Sequence, residues 1–102
     1  MDDDLLHERR RLVTAVIECE HSIATCLRRV QEYEAELHRE ARVQHMYPDP
    51  SYIRELHAWI DDLENVDIPR LRRRLHQLTT RLEEVRALTN TTSGGGGGST
   101  TK

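Results

Sequence analysis

The stretch LVTAVIECEHSIATCLRRVQEYEAEL, residues 12–37, decides the fold class. Its apolar positions recur in alternating steps of four and three: Leu12, Val16, Cys19, Ile23, Cys26, Val30, Tyr33, Leu37. An α-helix turns every 3.6 residues, so these steps return to one face, which the period-two alternation of a strand would not do. The pattern is a heptad seam with Val16, Ile23, Val30 and Leu37 at a, and Leu12, Cys19, Cys26 and Tyr33 at d. Leu5 extends it backward at d, while Arg9 takes the intervening a position. A flanking row of Leu6, Val13, Leu27 and Ala41, broken by Glu20 and Glu34, makes the apolar face wider than a two-stranded seam. The spacing predicts one helix from about Asp3 to His45. Asp2, Asp3 and Asp4 supply its N-cap and the negative charge its positive dipole end favours.

Working outward, Tyr47-Pro48-Asp49-Pro50 ends that helix, because a residue before proline avoids the α region. Asp49 then reads as an N-cap and Pro50 as a first helical residue. Ile53, Leu56, Ile60 and Leu63 form the face of a second helix, with Tyr52 and Trp59 beside it. A further seam, Leu71, Leu75, Leu78, Leu82 and Val85, is separated from Leu63 by eight residues instead of seven. The slip coincides with Pro69, so a kink or break is expected between Asp67 and Pro69, with Asp67 available to cap a third segment ending near Thr89. The expected fold is all-α: an antiparallel helical hairpin with coiled-coil-like seams, its second arm kinked or split near Pro69.

Composition agrees with that class. Apolar residues make up 36% of the 102-residue chain and charged residues 32%, with one Trp and no Phe. These fractions lie below and above the usual values of about 45–50% and about 25%. All five glycines sit in the run 94–98, so residues 1–93 carry no glycine to interrupt a helix. The expected organisation is a helical domain over 1–90 and a flexible Gly/Ser/Thr-rich tail or linker over 91–102. No apolar run approaches the roughly 18 residues that suggest a membrane span. The acidic, non-hydrophobic N-terminus does not resemble a signal peptide. The expected location is the cytoplasm.

No reaction chemistry is signalled. The six histidines and two cysteines lack the close pairing of a zinc site: Cys19 and Cys26 are seven apart, as are His38 and His45. Both cysteines read as small core residues, although a disulfide across a symmetric seam is the sharper alternative. The serines form no nucleophile motif, and the glycine run has no phosphate-loop context. Acid pairs such as Glu32/Glu36 and Glu36/Glu40 are ordinary for a solvated helix face. No enzyme, metal or cofactor is expected.

Arginine is the one asymmetry. Arg70, Arg72, Arg73 and Arg74 cluster after Pro69, and Arg28 and Arg29 add positive charge on the first helix. The plain interpretation is pairing with Glu32, Glu34, Glu36 and Glu40 across the hairpin. The alternative is contact with nucleic-acid phosphates, as on a double-stranded-RNA-binding hairpin. The formal net charge of −3 favours the former. The expected function is a non-enzymatic interaction or oligomerisation module: a scaffold or adaptor, homodimeric or docked on a helical protein. Its expected seam comprises Leu12, Val16, Cys19, Ile23, Cys26, Val30, Tyr33, Leu37, Leu71, Leu75, Leu78, Leu82 and Val85.

Overall fold

A computed structural model describes residues 2–43 and 49–93, and every element in them is helical, with no strand. Helix α1 spans Asp2–Val43, α2 Pro50–Asp62 and α3 Ile68–Ser93, with a π-helical turn, Leu63–Asp67, between the last two. The expected turn residues Tyr47 and Pro48, and the tail beyond Ser93, lie outside the described residues.

Helix α2 begins as its sequence requires. The Asp49 carboxylate accepts a hydrogen bond from the Tyr52 N–H at 3.2 Å, and Pro50 occupies the first turn. Proline costs nothing there, since the first-turn amides have no intrahelical acceptor. The Asp49 carbonyl accepts the Ile53 N–H at 3.2 Å, closing the first turn.

The expected Asp67 cap is corrected. Asp67 ends the π turn, and the helical backbone continues through Ile68 without a cap. The Ile68 N–H donates to the Leu63 carbonyl, five residues back. A π turn holds more residues than an α turn, so it absorbs the eight-residue slip between Leu63 and Leu71. It also widens the backbone just where Pro69 lacks an N–H to donate. Helix α3 runs past Thr89 to Ser93, so residues 91–93, expected in the tail, are helical.

The described residues divide into two compact units, residues 2–20 with 73–93, and residues 21–43 with 49–72. In the first unit, Leu12, Leu82 and Val85 are buried together, with Val13, Val16 and Leu78 packed against them. Val85 is fully enclosed, and Cys19 and Thr89 are also buried. The Thr89 hydroxyl donates to the Arg86 carbonyl at 3.0 Å, which satisfies it away from water. Arg81 ties the unit's two stretches together: its Nε lies 3.2 Å from Glu8 Oε2, and its Nη1 lies 3.2 Å from Glu84 Oε1.

In the second unit, Val30 of α1 packs with Ile60, Leu63 and Ile68, and Cys26, Tyr33 and Leu37 fill in around them. Leu56 is buried as well. Tyr33 meets Trp59, and Glu36 meets Tyr52. The partner number falls as the α1 number rises, so the two stretches of this unit run antiparallel. Full burial of a Leu or Val side chain stabilises by about 1.5–3 kcal/mol, which makes these two small clusters the chief holding force in their units.

Candidate interaction surfaces

The residues expected to form the association seam are all at least half-buried within the chain. Leu12, Cys19, Val30, Leu82 and Val85 are buried. Val16, Ile23, Cys26, Tyr33, Leu37, Leu71, Leu75 and Leu78 are half-buried. Helical periodicity found this face because burial of one stripe is what a 3.6-residue repeat encodes. The large apolar side chains left outside are Leu6, Ile17 and Leu88 in the first unit, and Leu27, Trp59 and Val66 in the second. Of these, Leu6 and Leu27 belong to the flanking apolar row of α1, and Trp59 lies beside the apolar row of α2. Ile17, Val66 and Leu88 carried no signal in the heptad pattern.

Trp59 lies at the surface of the second unit. Its ring centroid lies 5.4 Å from that of Tyr33, with the planes inclined at 43°, a tilted aromatic contact. The indole remains 40% exposed. A groove of about 200 Å³ runs past it, lined by Arg29, Tyr33, Trp59, Asp62, Leu63 and Asp67. Asp67 Oδ1 holds Arg70 Nη2 at 3.0 Å one turn further on. Asp62 is exposed and makes no ion pair among the described residues.

Beside the groove's aromatic pair, Glu36 and Tyr52 form a polar contact. The hydrogen bond from Arg39 is the largest influence on Glu36 and holds its carboxyl below the usual range. Desolvation pushes the Tyr52 phenol up, and the neighbouring Glu36 charge adds to that. Glu36 thus pairs with Arg39 on its own helix, and the expected bridge from Glu36 to the Arg70–Arg74 cluster is not what it makes.

The arginines proposed for phosphate contact fall into separate environments. Arg28 Nη2 lies 3.4 Å from Thr25 Oγ1, Arg29 lines the groove, and Arg70 is held by Asp67. Arg72, Arg73 and Arg74 are exposed and make no ion pair among the described residues. In the first unit, Leu6, Arg9, Arg10, Val13 and Thr14 line a shallow hollow of about 560 Å³ on α1.

Among the described residues, no group of three His, Cys, Asp or Glu side chains is placed to hold a metal ion. Among the described residues no disulfide forms: Cys19 is buried and Cys26 half-buried. Among the described residues, no helix is long and apolar enough to cross a membrane. Comparison with protein-family models, with curated proteins and with solved structures returns no match.

Proposed function

We propose that this chain is a non-enzymatic, self-associating helical module of the scaffold or adaptor kind. The observation that carries the proposal is the set of large apolar side chains left outside the two buried clusters, with Ile17 59% and Val66 51% exposed. Exposed apolar groups on helices gain free energy when a second surface removes them from water, and an exposed Trp is a common anchor in such contacts. The proposal also takes the heptad spacing as coiled-coil packing within each unit, and the second arm as bent at the π turn.

Sedimentation velocity over a wide concentration range tests this. The expected result is a mass rising above the 11.9 kDa of one chain as concentration rises. It should be reduced by Ile17→Ser with Leu88→Ser, or by Trp59→Ser with Val66→Ser, in variants that keep their helicity. A single-chain mass at every concentration overturns it.

A second reading, binding to double-stranded RNA, is favoured by the exposed Arg72, Arg73 and Arg74, which make no ion pair among the described residues. The same experiment with a short RNA duplex separates the two. Co-migration that falls steeply with salt would put the duplex first, because each phosphate contact releases counterions.

A further inference from the structure

The stripe Trp59, Asp62, Val66, Arg70 has steps of three, four and four, and all four side chains are exposed. Trp59, Asp62 and Asp67 border one groove, and Asp67 holds Arg70, so the charged members of the stripe flank the π turn on the groove's side. Val66 is exposed and stands four residues from both Asp62 and Arg70, the spacing of neighbours on a helix surface. Its charge is ordered along the chain. From Glu55 to Asp67 there are five acids, Glu55, Asp61, Asp62, Glu64 and Asp67, and no Lys or Arg; Arg70 and Arg72 follow at once.

We infer that the partner of this stripe is a second copy of the chain, crossing antiparallel with the two Val66 side chains at a twofold axis. The inference rests on the self-association proposed above and names its surface and register. A twofold contact is self-complementary: if one residue meets another, the second meets the first in return. An antiparallel crossing at Val66 sets Asp62 opposite the partner's Arg70, and Arg70 opposite the partner's Asp62. The acid-then-base order makes this pairing attractive, whereas a parallel pairing would oppose acid to acid and base to base. Among the described residues no ion pair occupies the Asp62 carboxylate. Arg70 spends one donor on Asp67, and a guanidinium carries five N–H groups, so it can bridge both carboxylates. Val66 supplies the apolar centre, and Trp59 adds aromatic area about two turns outward on each side.

Charge reversal with complementation tests the register. Asp62→Arg alone and Arg70→Asp alone each place like charges at both symmetric positions, and each should weaken self-association at least about tenfold. An equimolar mixture of the two variants places opposite charges at both positions, and should restore association to near the wild-type level. Circular dichroism confirms that each variant keeps its helices, and the emission of Trp59, the only tryptophan, should shift with association. Should a reversal unfold the chain, the wild type decides: its association should weaken as salt rises from about 50 to about 500 mM, because exposed ion pairs are screened. An association indifferent to both reversals, a mixture of folded variants that stays dissociated, or a flat salt dependence overturns the register while leaving self-association through another face. A wild type that is monomeric throughout overturns both.

Discussion

The backbone N–H of Ile68 donates to the carbonyl of Leu63, five residues back. This one bond joins two buried residues of the same cluster and carries the helix past Pro69. In an α-helix the Pro69 ring would press on the carbonyl four residues earlier, that of Asn65, and leave it without a donor. The extra residue of the π turn relaxes that conflict and rephases the apolar face.

A deletion measures this directly. Removing the exposed Asn65 restores a seven-residue step from Leu63 to Leu71 but forces Pro69 into a regular helix interior. The deletion should cost about 3 kcal/mol with Pro69 present. It should cost far less in a Pro69→Ala background, with urea unfolding of the four chains giving the coupling.

The two cores should respond to truncation and the exposed set should not. Leu56 is 1% exposed and Val85 is fully enclosed. Leu56→Ala should lower stability by about 2–5 kcal/mol, through lost burial and the cavity left behind. Val66→Ala should change the stability of the dissociated chain by less than about 0.5 kcal/mol. Thermal unfolding at a concentration where the chain is monomeric checks both.

The Glu36–Arg39 pair predicts an acid-sensitive contribution. Arg39 holds the folded Glu36 pKa below its ordinary 4.5, so the folded state binds its proton less readily than the unfolded chain. The stability this adds is present above the ordinary value and is lost as pH falls through the lower, folded one. Arg39→Gln should therefore reduce the thermal midpoint at neutral pH, with the difference from wild type closing in acid.

Tyr52 predicts the opposite limb. Desolvation, helped by Glu36, raises its phenol above the ordinary 10.0. The folded state retains that proton longer, so the associated stability is full below the ordinary value and falls as pH rises through the raised one. Tyr52→Phe should flatten this alkaline decline in a plot of midpoint against pH.

Glu8 and Arg81 join stretches 73 residues apart in sequence. A double-mutant cycle with Glu8→Gln and Arg81→Met should show favourable coupling at low salt. The coupling should vanish at about 1 M salt, where the screening length is near 3 Å. Persistence at high salt would contradict the Coulombic account of this pair.

The sequence alone determined the helices and most of their inward faces. The absence of glycine before residue 94 permits long helices, Asp49-Pro50 starts α2, and the four-three repeat points Leu12, Cys19, Val30, Leu82 and Val85 inward. These are local matters of torsion, capping and angular period. Tertiary structure decided the phase across Pro69 and what each unit leaves outside. Proline and an eight-residue slip are equally compatible with a broken helix or a π turn. The turn prevails where it lets Leu63 and Ile68 enter one core with Val30. The same phase leaves Val66 exposed, as Asp62 and Arg70 are. A period defines a face only relative to its own helix. Packing against a neighbouring stretch decides which residues that face finally covers, so the exposed stripe could not be read from spacing alone.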